Sequence, residues 1–328
     1  MNEFIDGVQL FVGVVDNLVA KRISLQSALE EFVIKSCGSD LAYIDNRRDA
    51  KKEYGFDFWH SVDMNKLKDQ GIAKRLRYSE SQQFPDFLFK VKKFGENYIG
   101  GSLMELKDSK GGNIASFNST IPTKLKSLEE IDVINSNNLV SRIARIMDGK
   151  LALDEGYLKF ERRCFYLVRT HRGSKKAKVS IVDGSFFETV PKEHLFNQMF
   201  LNVLRAHLKK KEIKIPQATL EKVEEILSHI TDQTLIASSQ IIEKASVRPR
   251  LRIMAEVHPE GNPHSKSYPE ITEGSFNLIL ESSPQTRKLE EEICEHIPKV
   301  EVFSIIHKRN GEHIVFQFGK GMQLTEYM

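Results

Sequence analysis

The most constraining feature of the sequence is a pair of apolar segments within residues 84–108, FPDFLFKVKKFGENYIGGSLMELKD. A Gly-Glu-Asn turn signal at 95–97 separates them, so the pattern predicts two strands, at about 86–92 and 97–107. Because side chains two apart on a strand point to the same face, Glu105 and Lys107 share a face. If the two strands pair, Asp86 and Glu105 converge at one edge of the sheet.

The rest of the chain alternates helical and strand patterns. Apolar spacing predicts two helices within 2–35, strong strands at 164–170 and 178–187, and a helix over 192–210. Another helix is expected after Pro216, and the last eighty residues are strand-rich, with a hairpin turn at Asn310-Gly311. The predicted fold class is therefore α/β (α+β mixed), with a mixed sheet flanked by helices.

Three regions are expected along the chain. Residues 1–77 are predicted to form a helical N-terminal region, 78–210 a core that carries the Asp86 and Glu105 strands, and 211–328 a C-terminal helical and strand-rich region. The chain of 328 residues is long enough for this division, and its 40% hydrophobic content supports a buried core.

The composition of the chain argues against several classes of protein. The 48 Lys plus Arg nearly balance 45 Asp plus Glu, giving +3, so the chain does not bind nucleic acid simply as a polycation. The 3 cysteines lie far apart, which argues against a disulfide scaffold and a structural zinc site. No segment approaches the ~20 apolar residues of a membrane span. We therefore expect a cytoplasmic protein that does not act at a membrane.

The chemistry predicted at the sheet edge follows from the residue types. Two converging carboxylates, Asp86 and Glu105, suit a hard divalent cation such as Mg²⁺. Lys107 beside them could position a metal-bound water or stabilise charge that develops on a phosphate. The expected reaction is therefore metal-assisted phosphodiester hydrolysis. Two alternatives stay open. Glu105 and Lys107 could form an ordinary cross-strand or surface ion pair at a strand end, and Asp108-Ser109-Lys110 is a second acid-x-Lys sequence.

Pro85-Asp86 followed by Glu105-Leu106-Lys107 resembles the active-site signature of the PD-(D/E)XK nuclease superfamily, and the surroundings look like a type II restriction endonuclease. In that superfamily a Pro-Asp opens one strand and Glu-x-Lys lies on the next. The resemblance implies a restriction-endonuclease-like core in which Asp86 and Glu105 bind Mg²⁺ and Lys107 is the catalytic lysine. In that superfamily a further acid from a preceding helix sometimes helps to hold the metal. Glu80 is the positional candidate, although a solvated residue at a helix end would look the same.

The partners implied by this resemblance are double-stranded DNA, a second copy of the chain in a homodimer, and a separate cognate DNA methyltransferase. The activity implied is sequence-specific, Mg²⁺-dependent cleavage. Two alternatives stay open, namely a DNA-repair or junction-resolving nuclease, and a non-catalytic sequence-specific DNA-binding subunit.

The polar segment after Lys107 and a later run of arginines are the candidate DNA-binding residues. The first group suits phosphate and base contacts, although an ordinary polar loop would look the same. It comprises Ser109, Lys110, Asn113, Ser116, Asn118, Ser119, Thr120 and Lys124. The second group, Arg248, Arg250 and Arg252, alternates as on one side of a strand that could line DNA.

Overall fold

The computed structural model describes residues 3–37, 41–44, 59–61, 84–94, 96–117, 122–135, 155–189, 192–228, 255–322 and 324. They belong to two compact units, one made of Met1–Glu188 with Met254–Met328 and the other of Thr189–Ile253. This division differs from the three predicted regions because strands from all three join one sheet in the first unit.

Twelve strands lie in the described residues. They are β1 (Leu41–Ile44), β2 (Trp59–Ser61), β3 (Phe87–Phe89), β4 (Val91–Phe94), β5 (Asn97–Gly100), β6 (Leu103–Asp108), β7 (Leu125–Lys126), β8 (Arg162–Thr170), β9 (Lys178–Asp183), β10 (Phe276–Glu281), β11 (Glu301–His307) and β12 (Gly311–Phe318). The main sheet has the order β11-β12-β10-β9-β8-β6-β3-β1-β2, with β7 paired to β8 at the side. The pairs β6–β8 and β9–β10 are parallel and the other pairs are antiparallel.

The described helices flank this sheet or form the second unit. They are α1 (Ile5–Val19), α2 (Leu29–Cys37), α3 (Leu128–Asn135), α4 (Glu155–Lys159), α5 (Lys192–Lys210), α6 (Gln217–Ser228) and α7 (Pro284–His296). The predicted mixed α/β class, with helices around a mixed sheet, is confirmed. None of these helices is long and apolar enough to cross a membrane.

The main sheet separates two apolar cores. On β8, Phe165 and Leu167 pack into one core with side chains of α1, α2 and α7. The intervening Tyr166 and Val168 pack into the other, with side chains of α3, α4 and a 3₁₀ turn at Gly184–Phe187. A strand buried on both faces alternates between two cores in this way. The sheet is thus enclosed on both faces around β8.

The two predicted hairpin strands are each divided in two. The β4–β5 pair forms a small separate sheet, whereas β3 and β6 join the main one. The break falls at Gly100 and Gly101, whose φ angles are +72° and +73°. A Cβ atom on Gly101 would clash with a methyl carbon of Val91, so both backbone angle and space call for glycine there.

Two further predictions agree with the structure, which also contains a helix that was not predicted. The helix expected over 192–210 is α5, and the Asn310-Gly311 turn joins β11 to β12, with Gly311 at a φ of +81°. Helix α7 is absent from the sequence prediction. It begins after Ser283, whose hydroxyl oxygen accepts a hydrogen bond from the Thr286 amide at 3.1 Å.

Candidate active site

The sheet brings Asp86 and Glu105 opposite each other. Strands β3 and β6 are antiparallel, with Phe87 paired to Met104 and Leu88 to Leu103. Continuing this register by one residue places Asp86, just before β3, across from Glu105. The Asp86 carboxylate also takes the place of a backbone acceptor, because its Oδ2 accepts a hydrogen bond from the Leu106 amide at 2.8 Å.

Lys107 lies beside Glu105 on the same face of β6. Its Nζ is 2.8 Å from Glu105 Oε1, and the two side chains are only 11% and 9% exposed. The Lys107 ammonium also lies 4.9 Å from the centroid of the Phe117 ring, within range of a cation–π interaction. The two side chains thus form an ion pair that is largely removed from solvent.

The local electrostatics leave negative charge poorly compensated. Burial, together with the negative charge of Glu105, raises the pKa of Asp86 well above its ordinary value. The Leu106 amide and Lys107 oppose this rise only in part. In addition, Glu105 Oε2 is buried without a hydrogen-bond partner in the described structure. A buried carboxylate oxygen in that position is an acceptor without a donor.

A cation fits this donor set. The two carboxylates face and repel each other, and one of them has a buried oxygen without a hydrogen-bond partner in the described structure. Such oxygens are suitable ligands for a hard divalent ion such as Mg²⁺. Asp86 and Glu105 are the residues that would hold it. The described residues do not, however, contain a group of three or more acidic, histidine or cysteine side chains arranged for a metal ion.

A further acid lies near the pair, although it differs from the predicted one. Glu80 is outside the described residues. Glu30, in the first turn of α2, is close enough for its negative charge to contribute to the raised pKa of Asp86. Sequence reasoning missed Glu30 because nothing in residues 2–35 shows that α2 packs on the sheet beside Asp86.

An aromatic cluster forms one side of the site. Tyr166 of β8 is the register neighbour of Glu105, and its ring makes edge contacts with Phe117 and Phe187 at centroid distances of 5.2 Å each. Burial raises the pKa of Tyr166 well above its ordinary value, and Cys164 and Glu105 add to the rise. The sequence predicted a strand here, but it does not reveal that this strand runs parallel to β6.

The second acid-x-Lys sequence has a different environment. Asp108 accepts hydrogen bonds from Arg169, at 2.9 Å to Oδ1 and 2.7 Å to Oδ2, and from Arg172 at 2.9 Å to Oδ2. Two guanidinium groups thus neutralise this carboxylate. Lys110 is exposed beyond the end of β6. These residues do not form a pair of the Glu105–Lys107 kind.

The predicted DNA-binding residues are only partly described. Ser109, Lys110, Asn113 and Ser116 lie in the segment after β6, where Lys110 and Asn113 are exposed. Lys124 lies elsewhere and pairs with Glu281, with Nζ 2.6 Å from Oε2. The remaining candidates are outside the described residues, namely Asn118, Ser119, Thr120, Arg248, Arg250 and Arg252.

Comparison with protein-family models, with curated proteins and with solved structures found no match to this chain.

Proposed function

We propose that the chain is a Mg²⁺-dependent endonuclease that hydrolyses phosphodiester bonds of double-stranded DNA at a specific sequence, as a type II restriction endonuclease does. The observation that carries the proposal is the arrangement of Asp86, Glu105 and Lys107. Two carboxylates face each other across neighbouring strand ends, and a lysine lies on the same face. This arrangement agrees with the Pro-Asp and Glu-x-Lys resemblance and with a restriction-endonuclease-like core.

Asp86 and Glu105 would hold the cation. When bound there, Mg²⁺ would polarise a phosphoryl oxygen and lower the pKa of a bound water. Asp86 is fixed for this by the Leu106 amide, which occupies only one of its oxygens. Glu105 presents Oε2, which accepts no hydrogen bond from the described residues. Glu30 adds negative charge nearby and is a candidate for the further acid of the site.

Lys107 is assigned the role of catalytic lysine. Contacts with Glu105 and the Phe117 ring orient its ammonium toward the carboxylate pair. From there it can stabilise the negative charge that develops on the phosphate during cleavage. The ring of Tyr166 packs against that of Phe117, so apolar groups enclose this side of the site. Electrostatic interactions are stronger in such an enclosed site.

The segment after Lys107 is proposed to contact DNA through Ser109, Lys110, Asn113 and Ser116, because it leaves the sheet directly beside the active-site lysine. A homodimer is proposed because a palindromic target is matched by a two-fold symmetric protein. A cognate DNA methyltransferase, as a separate protein, would protect the host DNA.

Digestion of plasmid DNA tests the proposal. With Mg²⁺ the wild-type protein should yield discrete bands, and sequencing of the ends should show one target sequence. Asp86→Asn, Glu105→Gln and Lys107→Ala should each abolish cutting. Glu301→Gln is the matched control, because Glu301 forms a surface pair with Lys320 at 2.7 Å, similar in length to the Glu105–Lys107 pair. Full activity of the Asp86 and Glu105 variants would refute the site.

A further inference from the structure

A basic turn lies beside the segment that follows Lys107. We call residues 171–177, HRGSKKA, the basic turn, and residues 108–113 the post-lysine loop. The His171 amide donates a hydrogen bond to the Gly111 carbonyl at 2.9 Å, and the Arg172 amide donates to that of Ser109 at 3.0 Å. The two segments meet because β6 and β8 are parallel, so their carboxyl ends leave the sheet at the same edge.

The basic turn is held in one conformation. The side chain of Gln26 accepts a hydrogen bond from the Gly173 amide at 2.7 Å and donates one to the Ser174 carbonyl at 2.8 Å. Within the turn, the Ser174 amide donates to the His171 carbonyl at 3.1 Å. A segment fixed in this way presents its side chains without a further loss of backbone entropy on binding.

The side chains presented are cationic. Arg172, Lys175 and Lys176 of the basic turn are exposed, and so is Lys110 of the post-lysine loop. Arg172 gives one nitrogen to Asp108, which leaves other donors of its guanidinium group for a ligand.

Among the described residues, Asp108 and Glu273 adjoin this cationic surface but do not neutralise it. Asp108 is already bound by Arg169. Glu273 lies 3.7 Å from Lys176 in a pair whose side chains are 66% and 55% exposed. Exposed pairs of this kind contribute little and are easily displaced by a stronger anion. The surface therefore keeps an excess of positive charge.

The cationic surface lies close to the candidate site along the chain. Lys110 is three residues beyond Lys107, just past the end of β6 at Asp108.

We propose that the basic turn, together with Lys110, binds the phosphate backbone of duplex DNA beside the cleaved bond. The contact is with phosphates and carries no base recognition of its own. This inference rests on the proposed nuclease function, because the post-lysine loop is its starting point. It assigns to the charged run at 171–176 a role other than that of a solvated surface.

The test is a binding measurement with the double variant Lys175→Ala/Lys176→Ala. Fluorescence anisotropy with a labelled 30-base-pair duplex, in Ca²⁺ and separately in EDTA, gives Kd over a range of salt concentrations. Loss of two phosphate contacts should weaken binding roughly tenfold or more and reduce the slope of log K against log salt by about 2. Target and non-target duplexes should be affected equally.

Lys288→Ala/Lys299→Ala is the matched control, because it removes the same charge from two other exposed lysines of the first unit. It should leave the salt slope unchanged. Cleavage by the Lys175/Lys176 variant at saturating DNA should also be unchanged, since neither lysine belongs to the candidate site.

The outcomes separate the two proposals. If plasmid is cut but the salt slope of the Lys175/Lys176 variant equals that of wild type, the phosphate-binding role is wrong and the nuclease proposal stands. If the slope falls as expected but no divalent cation supports cleavage, the binding role stands and the nuclease proposal fails. If neither duplex binds, or if the control variant lowers the slope equally, the basic turn is not the phosphate site.

Discussion

Two acid-x-lysine sequences follow each other directly in this chain, and the structure treats them differently. In Glu105-Leu106-Lys107 the acid and lysine share one face of a regular strand, and both are largely buried near Asp86. In Asp108-Ser109-Lys110 the acid is bound by two arginines, and the lysine is exposed past the strand end. The same residue types thus give a carboxylate pair compensated by a single lysine in one case and a neutralised structural link in the other.

The difference lies in what surrounds each acid. Glu105 faces a second carboxylate and has only one cation to share, so its surroundings would favour an added divalent ion. Asp108 has a guanidinium on each side, so an added ion would bring no gain. Arg169 also donates to the Leu25 carbonyl at 3.0 Å and to that of Ser27. It therefore ties the end of β6 to the turn that precedes α2.

The largest effect is expected on the cleavage rate, in which substitutions of Glu105 and Asp108 should differ. Glu105→Gln should lower the rate of DNA cleavage about a thousandfold, because it removes charge that would hold the cation. Asp108→Asn should retain cleavage within about tenfold when assayed well below its Tm, since we assign Asp108 no contact with the reacting phosphate. Single-turnover cleavage at saturating Mg²⁺ measures both. The reverse order of effects would identify Asp108 as the metal-binding acid.

The second prediction concerns stability, where Asp108 is the acid whose substitution should matter. Asp108→Asn should lower the free energy of unfolding by about 2–3 kcal/mol, because it leaves the buried Arg169 guanidinium without its charge partner. Arg172→Ala removes the more exposed partner of the same acid and should cost less than about 1 kcal/mol. Urea unfolding monitored by circular dichroism compares them. Equal losses in the free energy of unfolding would show that the Asp108–Arg169 pair stabilises the fold no more than the exposed Asp108–Arg172 pair does.

The third prediction concerns Asp86. Its folded-state pKa is raised, so the folded protein binds protons more tightly than the unfolded chain and loses stability as pH rises above the unfolded pKa of about 4. Asp86→Asn should therefore raise Tm by a few degrees at pH 7 without metal. The gain should shrink as the pH falls toward 4, where the wild-type carboxyl is protonated.

The same thermal measurement reports on the cation. Mg²⁺ should raise the Tm of the wild-type protein and leave that of Asp86→Asn nearly unchanged, because binding to the folded state alone stabilises it. A wild-type Tm that is independent of Mg²⁺ and of Ca²⁺ would contradict the assignment of Asp86 and Glu105 as the residues that hold the ion.

The smallest effect is expected at the second lysine. Lys110→Ala should leave single-turnover cleavage within about twofold of wild type and weaken duplex binding a few-fold, because it removes one exposed phosphate contact. Lys107→Ala, three residues earlier in the chain, should abolish cleavage. If the two variants behave alike, the distinction between the two acid-x-lysine sequences has no catalytic meaning.

Much of the candidate site could be predicted from local pattern. The period of two in a strand places Glu105 and Lys107 on one face, and the turn signal at 95–97 predicts that this strand returns to Asp86. The contributions of Tyr166 and Glu30 to the site could not be predicted in the same way. Tyr166 reaches the site only because β8 pairs with β6 in parallel, and Glu30 only because α2 packs on the sheet. Such long-range pairings leave no local signature.

Helix α7 is an instructive case between these extremes. Its N-terminal signal, Ser283 followed by Pro284, is present in the sequence, and Leu289 and Ile293 follow at helical spacing. Asp108 is a different case, since a carboxylate neutralised by Arg169 looks no different in sequence from one that binds metal.

The parallel pairing of β9 with β10 has an evolutionary consequence. Neighbouring parallel strands require a crossover, and here the whole second unit, Thr189–Ile253, is inserted between them along the chain. Such an insertion can lengthen, shorten or be exchanged among descendants of the gene while the ladder of β9 and β10 stays the same. Selection can therefore act on the second unit and on the Asp86–Glu105 strands separately.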